Sequence, residues 1–282
     1  MSPARTFALT ALAMTAFAGK SLLCRLALKN TGIDAASFTA IRLVSGALAL
    51  WLVARQLRSS QSGKGNWPSA LALFAYAAAF SFAYMSLATG TGALLLFGAV
   101  QATMIGYGIW SGERLRPPQL AGLALALGGL SGLLLPGVSA PPLAGSALMI
   151  SAGIAWGIYS LRGKSAGDPT RVTAGNFLRA APLAIALSFC VFLVRGASLD
   201  AAGFGYAVAS GALTSGIGYA IWYTALPALK ATTAATVQLS VPVIAALGGI
   251  AFLGEPVTLR LLLASSAILG GIALVLQKRT AA

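Results

Sequence analysis

A lysine sits about two-thirds of the way along the first apolar run, in Ala18-Gly19-Lys20-Ser21-Leu22. An ammonium at mid-membrane depth costs about 2.5–3.5 kcal/mol, so it must face a wet cavity or a partner. There it would be the counter-charge for an anionic group such as a substrate carboxylate. The other reading is snorkelling, with the stem against apolar wall and the charge at the outer interface. Aromatic residues recur nearby in patterns that could form a pocket. Tyr76, Phe80 and Tyr84 repeat every four residues on one helix face. Trp156 and Tyr159 stand together, as do Tyr219, Trp222 and Tyr223, and Phe97 shares a face with Gln101. Ring faces stack on flat ligands and attract cations, but they also pack in cores and form interfacial belts. Trp110, Trp222 and Tyr223 lie near segment ends, which favours a belt. Trp156 and Phe97 lie deeper, which favours a pocket. Gln101 and Gln238 put amides inside apolar segments, where they could orient a polar substrate or tie helices together. The candidate substrate-binding set is therefore Lys20, Tyr76, Phe80, Tyr84, Phe97, Gln101, Trp156, Tyr159, Tyr219 and Gln238.

Catalytic chemistry has little to work with. The five acids, Asp34, Glu113, Asp168, Asp200 and Glu255, fall at segment ends or in loops, and the chain has no histidine. No carboxylate pair suits hydrolysis or a metal-bound diphosphate, and no metal-ligand spacing is visible. Cys24 and Cys190 read as small packing residues. The expectation is a chain that is not an enzyme, with no catalytic or metal residues and no cofactor. Proton-coupled carriers usually keep a carboxylate or histidine in the membrane, and none is expected here at depth.

The elements that must position these residues are membrane helices. Of 282 residues, 58% are hydrophobic and 9% are charged, and the mean hydropathy is +0.85. A soluble domain carries about 25% charged residues. Ten apolar runs approach the roughly 20 residues a spanning helix needs. They lie near 6–28, 37–54, 68–88, 91–110, 118–135, 143–161, 173–195, 203–223, 232–253 and 258–277. The net charge of +14 sits in the short gaps, with no basic helix face for nucleic acid. Counting cations on alternate sides puts Arg5, Arg55, Arg58, Lys64, Arg114, Arg116, Arg162, Lys164, Arg171, Lys230, Lys278 and Arg279 together. Only Arg25, Lys29, Arg195 and Arg260 fall on the other side. Positive residues favour the cytoplasm, so both termini are expected inside a bacterial inner membrane. Arg42 and Arg179 lie nearer segment ends than Lys20 and read as snorkelling or helix-end bonding. Arg5 and Ala16-Phe17-Ala18 mimic a signal peptide, but the apolar run continues to Leu28, which favours an uncleaved first helix.

The chain also repeats itself. Gly112-Glu113 precedes Gly128-Gly129 by the same step by which Gly254-Glu255 precedes Gly270-Gly271. Arg42 and Arg179 occupy similar places in the second and seventh segments. Residues 1–138 and 139–282 thus read as two five-helix repeats in one membrane domain. Five is odd, so the halves must enter the membrane in opposite directions. Such inverted repeats allow two similar states, each open to one side, around a midplane site. Glu113 and Glu255 read as acids capping helix N-termini. Gly108xxxGly112, Gly128xxxGly132, Gly153xxxGly157 and Gly211xxxSer215 could pack helices closely.

With a Gly-Glu pair before each half's last helix, an arginine in each half's second helix and Pro242 thirteen residues before Glu255, the whole chain resembles the drug/metabolite transporter superfamily, EamA type. The first half departs from the pattern, with Val100 at the place matching Pro242. Within the superfamily, Gly218-Tyr219-Ala220-Ile221-Trp222 and the region of Trp156 are most similar to YddG-type aromatic amino-acid exporters. That resemblance implies a central cavity involving Phe97, Trp156 and the aromatic face of the third helix. The expected function is export of aromatic or hydrophobic amino acids by alternating access, facilitated or by exchange. The alternatives are export of other metabolites or flat cationic drugs in the same fold, or a membrane protein that does not transport. The expected partners are a small-molecule substrate and lipid.

Overall fold

The computed structural model describes residues 1–56, 63–112, 115–137, 140–163, 168–196, 198–229 and 237–276. Glu113 lies outside these residues, as do Arg58, Arg114, Lys164, Lys230, Lys278 and Arg279. All regular structure among the described residues is helical.

Helix starts follow local chemistry. In α1 (Pro3–Asn30) the Ser2 side chain accepts from the Arg5 N–H, and Pro3 occupies a first-turn position that needs no donor. Asp34 caps α2 (Ala35–Gln56) by accepting from the Ala36 and Ser37 N–H groups, each at 2.9 Å. Asn66 caps α3 (Trp67–Tyr84) and Asp168 caps α7 (Pro169–Arg195) in the same way. Between them run α4 (Thr89–Trp110), α5 (Pro117–Leu134) and α6 (Leu143–Arg162). These seven helices are long and apolar enough to cross a membrane.

The eighth helix is composite. In α8, Ala201–Val208 is α-helical, Ala209–Ile217 is π-helical and Gly218–Ala225 is α-helical again, ending in a 3₁₀ turn at Leu226–Ala228. Two shorter apolar helices follow, α9 (Ser240–Leu253) and α10 (Leu259–Leu276). Among the described residues, ten helical elements, one of them broken, thus meet the ten apolar runs of the sequence.

Each helix buries one face. In α1 the buried residues Ala13, Met14, Phe17, Ser21, Cys24 and Ala27 recur at helical spacing, and Lys20 belongs to the same face. α2 packs on α7, and α5 packs on α10. α6 packs on α3 and α4, while α1 packs on α8 and α9. The glycines are used unevenly. A Cβ on Gly153 would sit 2.6 Å from that of Ala99, and one on Gly157 would sit 2.8 Å from that of Thr103, so both let α6 approach α4. Gly128 and Gly132 meet nothing within 4 Å and do not pack inside the bundle.

Candidate functional site

Lys20 is only 5% exposed, and no carboxylate is paired with it among the described residues. Rings surround it instead. Its Nζ lies 5.1 Å from the ring centres of both Tyr76 and Trp156, 5.6 Å from Tyr219, 5.7 Å from Phe17 and 5.9 Å from Phe80. It also donates to the Tyr219 hydroxyl at 3.5 Å. Each cation–ring contact contributes about 0.5–2 kcal/mol. Several together can offset the cost of an ammonium at membrane depth.

Four elements build this cage. α1 supplies Phe17 and Lys20, one helical turn apart. α3 supplies Tyr76 and Phe80, α6 supplies Trp156, and the last part of α8 supplies Tyr219. Trp156 stacks on Tyr159 at 5.2 Å and on Tyr219 at 5.4 Å, with interplanar angles of 28° and 17°. The stack fixes the indole plane against the cage.

Arg42 stands behind the cage. It was expected to snorkel or bond a helix end, but it is 1% exposed. α2 begins at Ala35, which sets Arg42 about two turns inside the helix, and the ring face of α3 covers it. Its guanidinium lies 4.9 Å from the Phe80 ring centre and 5.4 Å from that of Tyr76. Nη2 donates to the Tyr76 hydroxyl at 3.0 Å, while Nε and Nη1 have no hydrogen-bond partner. The π-helical stretch of α8 lies against it, and Gly211 leaves the room: a Cβ there would overlap the Arg42 carbonyl oxygen.

A cavity of about 250 Å³ runs from Lys20 to Arg162 and Gly163 at the end of α6. Its wall brings together eight of the ten candidate residues: Lys20, Tyr76, Phe97, Gln101, Trp156, Tyr159, Tyr219 and Gln238. Phe80 does not line it but touches Lys20 from behind. Tyr84 lies elsewhere, donating to the Thr89 carbonyl at 3.2 Å near the opposite end of the bundle. Trp222 and Tyr223 also line the cavity, where a membrane-interface belt was expected. The helix continues through Ala225 and the 3₁₀ turn, so these rings are not at its end. Trp110 is 83% exposed, as a belt residue would be. Towards the mouth, Asn176 donates to the Tyr159 hydroxyl at 3.4 Å and accepts from the Asn66 N–H at 2.9 Å. Arg162 donates to the Ser69 hydroxyl at 3.3 Å. Arg179 bonds the carbonyls of Lys64 and Gly175, which is loop and helix-end bonding.

The other end of the bundle is closed by paired charge. Gly254 ends α9 with φ +62°, a left-handed turn that suits glycine, and the turn aims Glu255 back into the bundle. Glu255 was expected to cap a helix N-terminus, and the helix it caps is α4: the Thr89 N–H donates to its two carboxylate oxygens at 2.8 and 3.0 Å, and the Thr89 hydroxyl donates at 3.1 Å. The Arg25 Nε lies 3.6 Å from the same carboxylate. Arg25 also donates to the Tyr84 and Met85 carbonyls, and Lys29 donates to that of Leu253. The lack of a free carboxylate after Gly254 could not be read locally, because Thr89 and Glu255 are 166 residues apart.

Phe17 and Arg42 were not among the sequence candidates. Phe17 precedes Lys20 by one turn on the same face, and that spacing was a usable signal. Nothing near Arg42 in sequence announces the π-helical stretch that covers it.

Comparison with known proteins fits this architecture. Residues 143–277 match the model of the EamA-like transporter family. The uncharacterized protein PA1977 of Pseudomonas aeruginosa is 58% identical over 280 residues, covering 99% of this chain and 97% of its own. A solved crystal structure of a protein is similar in fold, with a TM-score of 0.65 at 20% identity, over 97% of this chain and 98% of that one. The second half of the chain thus carries an EamA-like transporter domain, and PA1977 resembles the chain over nearly its whole length.

Proposed function

We propose that the chain exports small aromatic or other hydrophobic carboxylates, the aromatic amino acids among them, from a bacterial cytoplasm by alternating access. The observation that carries this is Lys20: a buried ammonium held only by rings and a hydroxyl, at the inner end of a ring-lined cavity. A carboxylate entering the cavity would meet Lys20, its apolar part would lie against Trp156 and Phe97, and Gln101 and Gln238 would take its polar groups. At about 250 Å³ the cavity is slightly below the roughly 300 Å³ at which small-ligand sites begin. A single-ring substrate fits that size. The YddG-type resemblance points the same way.

The packing supports an inverted five-plus-five repeat. If α1 to α5 correspond to α6 to α10, the pairs α2–α7 and α5–α10 map onto themselves. The α6 contacts with α3 and α4 then map onto the α1 contacts with α8 and α9. In the orientation the cation count favours, the cavity mouth at Arg162 faces the cytoplasm and the Glu255 end faces outward. The conformation is then inward-facing. No acid lines the cavity among the described residues, so we propose facilitated or exchange transport without obligatory proton coupling.

The test is counterflow in proteoliposomes with labelled phenylalanine or tryptophan. Saturable counterflow, blocked by other aromatic carboxylates and lost in Lys20→Ala and Trp156→Ala, supports the reading. Absence of counterflow and of binding in protein shown to be folded overturns it. Obligatory proton flux in a pH-jump assay overturns the coupling.

A further inference from the structure

Resting on that reading, we infer that the preferred substrate is an aromatic or apolar carboxylate without an ammonium group, and that Lys20 acts as a built-in cation that rejects amines. The best place in this cavity for a cationic ligand is the space bounded by Tyr76, Trp156, Tyr219, Phe17 and Phe80. Lys20 already fills it. Arg42 adds a second charge behind the same rings, with two donors still unpartnered. Arg162 adds a third at the mouth. An amino acid's carboxylate would be drawn to Lys20, but its ammonium would be carried in among like charges.

Among the described residues, no acid is placed to receive that ammonium. Of the chain's five acids, Asp34, Asp168 and Asp200 cap helices and accept backbone N–H groups there. Glu255 is committed to Thr89 and Arg25 at the far end. Glu113 lies outside the described residues. Unwound backbone carbonyls can also receive a cation, and the π-helical stretch Ala209–Ile217 is the obvious source. None of its residues lines the cavity. Gln101 and Gln238 can accept from an N–H but carry no charge. An ammonium therefore loses its hydration and meets only neutral acceptors and cations. An aryl or alkyl carboxylate loses nothing comparable and gains Lys20.

Three compounds with one ring and nearly the same chain separate the outcomes: phenylalanine, 3-phenylpropionate (the same molecule without its ammonium) and phenethylamine (without its carboxylate). Their binding to the purified full chain in lipid nanodiscs is measured by calorimetry at neutral pH, with a thermal melt to confirm folding. The expected order is 3-phenylpropionate at least tenfold tighter than phenylalanine, with phenethylamine not detectable. Lys20→Met should abolish the difference between the two acids by abolishing both signals. Phenylalanine binding as tightly as 3-phenylpropionate, or tighter, overturns this inference and leaves the carboxylate carrier standing. Phenethylamine binding best, or no compound binding to folded protein, overturns both.

Discussion

Two cations of α1, Lys20 and Arg25, sit little more than a turn apart, and they are treated in opposite ways. Arg25 has a carboxylate, Glu255, at 3.6 Å and two backbone carbonyls, and the acid is further held by Thr89. Lys20 has rings and one hydroxyl, and Arg42 behind it keeps two unpartnered donors. The first cluster supplies its own carboxylate, with the Arg25 Nε held by the ion pair alone. The second has no negative partner among the described residues. A charge that the fold satisfies serves the fold, whereas a charge that it leaves unsatisfied at a cavity wall is available to a ligand.

The sharpest way to break this contrast is to remove the unsatisfied charge. Lys20→Met should weaken binding of an aromatic carboxylate by about a hundredfold or more, since truncating one side of a buried charge pair costs about 2–5 kcal/mol. The same variant should melt no lower than the parent, because it takes an unpaired charge out of the core. Calorimetry and a thermal melt read the two effects separately, and a drop in melting temperature would mean that Lys20 is structural after all.

Removing the satisfying charge should do the reverse. Glu255→Gln should destabilise the chain by about 1.5–3 kcal/mol, the scale of hydrogen bonds to a charged group. It should also loosen the closed end. Cys24 is fully buried on α1, between Lys20 and Arg25, and provides an internal reporter. In a Cys190→Ala background, a membrane-impermeant thiol reagent should modify Cys24 slowly in the parent and at least several-fold faster in Glu255→Gln. Equal rates would show that the Glu255 cluster does not seal that end.

Two milder substitutions sharpen the boundary between the clusters. Trp156→Phe keeps a ring at the cage but loses much of the stacked area, and should reduce affinity by about tenfold or less, the range of one or two aromatic pairs. Tyr84→Phe removes the bond to Thr89 at the closed end, and should cost about 1 kcal/mol of stability with no change in affinity. A change in affinity there would extend the site beyond the cavity described above.

The sequence made some of this legible and hid the rest for physical reasons. Lys20 stood out because an ammonium in an apolar run needs an explanation, and Trp156 and Phe97 followed from depth along their helices, while Gln101 read equally as a substrate contact or a tie between helices. Tyr76 and Tyr84 looked alike at four-residue spacing, yet two helical turns put them at different levels of the bundle. Tyr76 reaches the cage, and Tyr84 reaches α4. Trp222 and Tyr223 were misplaced because the end of an apolar run was taken as the end of a helix. The Glu255–Thr89 bonds and the burial of Arg42 depend on contacts between distant parts of the chain, and a single sequence does not display such contacts.

That no carboxylate lines the cavity among the described residues bears on energy as well as on recognition. A bacterial interior is electrically negative, and moving one elementary charge across 100 mV is worth about 2.3 kcal/mol. A monoanion leaving the cell runs with that field, which by itself sustains an outside-to-inside ratio of about fiftyfold. A zwitterion gains nothing from it. A fixed lysine that neutralises its cargo inside the membrane would let the resting voltage drive export, with no proton and no titratable acid in the pathway. Imposing a potassium diffusion potential on proteoliposomes tests this: interior-negative voltage should speed efflux of an aryl carboxylate, and an unchanged rate would rule out the voltage as the driving force.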